Sequence, residues 1–151
     1  MTVGNANAGS TARILLVEDD PDDVELTRRA LMEHKLILNL DVVGDGEDAM
    51  RYLHRQPPYA DKLLPDLILL DLNLPRLDGR EVLAQIRADE HLRSLPVVVL
   101  TTSTDDEDVL KAYNLNANCF ITKPVGLKNF SEVVHKIEDF WFSVVRLPKA
   151  P

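Results

Sequence analysis

Four short segments place reactive side chains directly behind apolar runs. They are "ILLVEDDPDD" (14–23), "LILLDLNLPRLDG" (67–79), "VVVLTTS" (97–103) and "CFITKP" (119–124). The runs end on Glu18 and Asp19, on Asp71, on Thr101 and on Lys123. A carboxylate buried without a partner is costly or takes up a proton, so Asp71 behind "LILL" demands one. If the acids of the first segment converge on Asp71, either some of them take up protons or a cation offsets them. Two like charges about 4 Å apart repel by roughly 4 kcal/mol at an effective dielectric near 20. An all-oxygen site with few protein ligands and room for water suits Mg²⁺. Thr101 adds a hydroxyl donor and Lys123 an ammonium. Acids with a metal, a hydroxyl and an amine are what a transferring phosphoryl group needs.

Taken singly, these residues have plainer readings. Asp20, Asp22 and Asp23 read equally well as acids favouring the first turn of a helix. Thr101 alone is a β-branched strand end, and Lys123 alone a solvated loop lysine. Jointly those readings are weak, because four separate strand ends deliver complementary groups.

The elements that must position these groups follow from the apolar patterning. Strands are predicted at 13–17, 38–43, 66–70, 96–100 and 118–122. Helices are predicted at 22–34, 46–55, 79–89, 106–115 and 127–145. Val24, Leu26, Ala30 and Leu31 are the expected inner positions of the first helix. A loop at 56–65 is punctuated by three prolines. Alternating strands and helices imply right-handed crossovers and a parallel sheet covered on both faces, an α/β doubly wound fold of five strands and five helices. Function in such a sheet gathers beyond the carboxyl ends of the strands. The domain is expected over 13–145, with a disordered segment at 1–12 and a short tail at 146–151.

Composition excludes several classes. The 151 residues carry a formal net charge of −8, which disfavours nucleic-acid and anionic-membrane binding. No apolar run approaches a membrane span. The start "MTVGNANAGSTAR" lacks an apolar core, and one cysteine cannot staple a fold, so a cytoplasmic location is expected. The four histidines lack metal-ligand spacing, and "GDG" (44–46) reads as a turn rather than a phosphate loop.

The four segments, in this order and spacing, resemble the response-regulator receiver domains of two-component signalling. The resemblance covers about residues 13–140. It implies a flavodoxin-like sheet of order 2-1-3-4-5. It implies that Asp71 is the phosphoacceptor, that Glu18 and Asp19 form the acidic pair, and that Asp19 is the more direct Mg²⁺ ligand. The main-chain carbonyl of Asn73 becomes a third protein ligand, Thr101 the switch hydroxyl, Phe120 the switch aromatic and Lys123 the phosphoryl-pairing lysine. It also implies a cis Lys123–Pro124 peptide. The partner implied is a sensor histidine kinase, whose phosphohistidine supplies the phosphoryl group, and the surface that switches lies on the fourth helix, fifth strand and fifth helix. One departure is Glu18, where many members carry aspartate; the charge is the same. The loop "HRQPPYADKLLPD", the segment "NCFITKPVGLKNF" and the tail "FWFSVVRLP" further resemble the small regulators paired with bacterial, especially cyanobacterial, phytochromes.

The last predicted helix carries a broad apolar face that runs past the expected sheet edge. Phe140 and Trp141 lie on that face and Phe142 outside it, and these three aromatics are expected to help form a homodimer interface. Two other classes compete with the receiver reading. A phosphatase of the haloacid dehalogenase type needs a second acid two residues after the nucleophile, and Asn73 stands there. A binding or dimerisation module without phosphotransfer has no need of the full set Asp19, Asp71, Thr101 and Lys123.

Overall fold

The structure, a computed structural model, describes residues 12–33, 38–102 and 119–123, together with 110, 115, 117 and 128. Five strands form one sheet: β1 (Ala12–Val17), β2 (Leu38–Val43), β3 (Leu67–Asp71), β4 (Val97–Thr101) and β5 (Cys119–Thr122). Their order is β2-β1-β3-β4-β5 and every pairing is parallel, as expected. Among the described residues there are three helices, α1 (Pro21–Glu33), α2 (Gly46–Leu53) and α3 (Gly79–Ala88). The helices expected at 106–115 and 127–145 fall outside those residues apart from Leu110, Leu115 and Lys128. Phe140, Trp141 and Phe142 also lie outside them.

The central strands are buried on both faces, which is why they read as unbroken apolar runs. Every residue of β3 and of β4 is buried. On one face, Ala49, Met50, Tyr52 and Leu53 of α2 pack with Val82, Leu83 and Ile86 of α3. On the other face, Ala30 and Leu31 of α1 pack with Ile14, Leu16, Leu69 and Leu100. These two layers make the sheet doubly wound.

Some expectations need correction. The predicted strands at 66–70 and 96–100 each lie one residue later, so that Asp71 and Thr101 close β3 and β4. Leu26, expected inside, is 39% exposed, whereas Thr27 is fully buried. The inner stripe of α1 runs through Val24, Thr27, Ala30 and Leu31, and Leu26 lies about 100° off it in phase. β1 begins at Ala12, which is buried, one residue before the predicted start. The cis bond among the described residues is Pro57–Pro58, inside the proline-punctuated loop. The Lys123–Pro124 bond lies outside the described residues. No helix among them is long and apolar enough to cross a membrane.

Two glycines fix how the loop after β3 packs. A Cβ on Gly79 would stand 2.2 Å from the Asp71 carbonyl oxygen, and Gly79 N–H donates to Leu72 O at 3.0 Å. A Cβ on Gly46 would overlap the Leu77 carbonyl. Beside it, Arg76 adopts φ 66° and its guanidinium reaches Asp45 at 3.3 Å and Glu47 at 3.7 Å. Asp45 caps α2 by accepting from Asp48 N–H, and Asp78 caps α3 by accepting from Arg80 N–H. The "DLNLPRLDG" segment thus leaves the strand, crosses the start of α2 and enters α3 without slack.

Candidate functional site: an acidic pocket around a lysine

Each strand end contributes one part of the site. β1 runs out at Val17, and Glu18 N–H continues the ladder by donating to Val43 O at 3.0 Å. That holds Glu18 at the sheet edge, with its side chain fully buried. Its Oε2 accepts from Asp20 N–H at 3.3 Å, which ties the carboxylate to the turn into α1. β3 terminates on Asp71 itself, only 3% exposed. Its Oδ1 accepts from Asn73 N–H at 3.1 Å. β4 ends on buried Thr101, one register position beyond Leu100, the partner of Asp71. Lys123 N–H donates to Thr101 O at 2.7 Å, extending β5 along β4.

The pocket is organised around Lys123. Its Nζ lies 2.8 Å from Glu18 Oε1, 3.0 Å from Asp71 Oδ2 and 3.0 Å from Asp23 Oδ2. It donates hydrogen bonds to Asp23 and Asp71. The contact with Glu18 Oε1 is an ion pair, the shortest of the three. Burial alone would lower the ammonium pKa, but the three carboxylates outweigh it and hold the pKa above the usual lysine value. Burial raises the Glu18 carboxyl to about 7, opposed by Lys123 and reinforced by the Asp71 charge.

Glu18, Asp19 and Asp71 come together as expected. One carboxylate oxygen from each lies within 4.8 Å of the others. The donor set fits a hard divalent cation: it is all oxygen and it carries excess negative charge. Phe120 pairs with Val99 and Thr122 with Thr101. By strand alternation Phe120 and Thr101 therefore share a face, two residues apart along the sheet. Phe120 is half-buried against the core that contains Val99.

Asp23 was not singled out from the sequence. Nothing local distinguishes it from Asp20 or Asp22, since all three sit where acids favour a helix start. Its contact with Lys123 depends on how α1 lies across the sheet edge.

Acidic strand ends and a half-buried lysine at the carboxyl edge of a 2-1-3-4-5 parallel sheet define a doubly wound switch-point site. The profile of the response regulator receiver domain matches residues 14–135, and the chain belongs to that family. It is 46% identical over 137 residues to response regulator Rcp1 of Synechocystis sp. (strain ATCC 27184 / PCC 6803 / Kazusa), covering 91% of this chain and 93% of that protein. Among solved structures, the phosphorylated cyanobacterial phytochrome response regulator RcpA superposes with a TM-score of 0.75 at 46% identity, covering 91% of this chain and 99% of that one. The Mn²⁺-bound form of response regulator Rcp1 gives 0.73 at 45% identity, with the same coverage.

Proposed function

We propose that this receiver domain accepts a phosphoryl group onto Asp71 from the phosphohistidine of a sensor histidine kinase, and that the kinase is a phytochrome. The observation that carries this is the placement of Asp71. It is a buried carboxylate at the end of a central strand, 3.0 Å from a half-buried ammonium and beside two further acids. A carboxylate oxygen of Asp71 attacks phosphorus, the phosphorus–nitrogen bond breaks, and its electron pair returns to the imidazole, which takes up a proton. The product is an acyl phosphate, later hydrolysed by water. Likeness to RcpA supports the phytochrome pairing.

Glu18, Asp19, Asp71 and the Asn73 carbonyl are the groups that would hold Mg²⁺, with Asp19 the most open of the three acids. When bound, the ion offsets charge on the phosphoryl oxygens. Lys123 pairs with the same oxygens through its ammonium. Thr101 supplies a hydroxyl to the phosphorylated state, and Phe120, on the same face, follows its movement. Signalling then runs through the surface bearing β5. The protein is a phosphoacceptor of the cytoplasm rather than an enzyme acting on other molecules, and its copies pair through Phe140, Trp141 and Phe142.

The decisive test is incubation with Mg²⁺ and a small phosphodonor, followed by intact mass. One added phosphate is expected, lost in Asp71→Asn. No addition, or one that survives Asp71→Asn, overturns the reading. A dilution series by light scattering showing a monomer in both phosphorylation states would overturn the homodimer.

A further inference from the structure

The three carboxylates around Lys123 are not equivalent. Glu18 and Asp71 belong to the set that can hold a cation, and Asp23 does not. The Asp23 side chain is 23% exposed, against 0% for Glu18 and 4% for Asp71. It therefore covers the ammonium from the solvent side, while the other two hold it from within. A bound cation draws on the same two acids that pair with Lys123. Asp23 is the carboxylate left undivided for the lysine. Its position in the first turn of α1 also places it on a helix separate from the strands that carry the reacting groups.

We propose that Asp23 is a positioning residue that acts through Lys123, keeping the ammonium within reach of Asp71 once a cation shares Glu18 and Asp71. This rests on Asp71 being the phosphoacceptor. The competing account is that Asp23 only favours the start of α1 through the helix dipole. That role does not depend on Lys123, so the two accounts separate in a double-mutant cycle.

The experiment measures the rate of phosphate addition to Asp71 with Mg²⁺ and a small phosphodonor, in full-length protein. Asp23→Asn should slow it about tenfold, the scale of one charge-assisted hydrogen bond. In a Lys123→Gln background, with donor raised until that variant reacts, Asp23→Asn should change nothing. An equal slowing in both backgrounds, or none in either, overturns the proposal. A second readout needs no phosphorylation: the Lys123 ammonium signal in ¹⁵N NMR. Asp23→Asn should broaden it through faster proton exchange, and an unchanged signal overturns the proposal. If wild type takes no phosphate at all, the Asp71 reading has failed, and the NMR signal still decides whether Asp23 holds the lysine.

Discussion

Gly79 sits so close against Asp71 that a Cβ on the glycine would stand 2.2 Å from the aspartate's carbonyl oxygen. The helix α3 thus begins in contact with the backbone of the proposed phosphoacceptor. Gly79→Ala should force that backbone to shift, at a cost of about 2 kcal/mol in urea unfolding. It should also reduce phosphate uptake. Gly44→Ala is the control, because nothing lies within 4 Å of a Cβ there. Equal effects from both substitutions would count against the close-approach account.

Removing the central cation should be costly. Lys123→Met leaves Glu18 and Asp71 buried without the ammonium between them. In chelator, the variant should lose about 3 kcal/mol of stability, as when one partner of a buried pair is deleted. Added Mg²⁺ should recover part of that loss. Denaturation with and without Mg²⁺ reads both effects, and a variant as stable as wild type in chelator would remove the electrostatic argument.

Glu18 makes the metal-free protein sensitive to pH. Its folded-state value of about 7 lies above the ordinary 4.5. Between those values the folded chain keeps a proton that the unfolded chain has released. Raising pH through this window therefore favours unfolding. The destabilisation enters above 4.5 and is complete beyond about 7. Glu18→Gln should flatten that slope in urea midpoints measured at pH 5 and pH 8. An unaltered slope in the variant would assign it to other groups.

Thr27 is fully buried in α1, and its Oγ1 has no hydrogen-bond partner among the described residues. Thr27→Val keeps the shape and removes the unsatisfied hydroxyl, so it should stabilise the fold by about 1 kcal/mol. Chemical denaturation checks this, and a loss of stability would reveal a partner for the hydroxyl.

What the sequence disclosed depends on the range of the signal. Asp71, Glu18, Asp19, Thr101 and Lys123 each follow an apolar run, and strand order then brings those run ends to one edge. The sheet was legible for the same reason: its central strands are buried on both faces and carry no polar interruption. Asp23 was not legible, because its partner lies a hundred residues away and its own neighbours are equally acidic. Leu26 and Thr27 misled because phase along α1, rather than hydropathy, decides which of two adjacent residues faces the sheet. Gly79 read as the first residue of a helix, and its close approach to the Asp71 and Leu72 backbone left no mark in the sequence.

The placement of Lys123 on the last strand bears on how the chain is made. Glu18, Asp23 and Asp71 are all synthesised before the cation that joins them. A nascent chain that has left the ribosome only through β4 carries these carboxylates at one sheet edge without their ammonium, and their mutual repulsion opposes closure there. Arrival of β5 beside β4 delivers the final strand and the counter-charge together. The strand that completes the sheet is thus also the one that brings the pocket its ammonium.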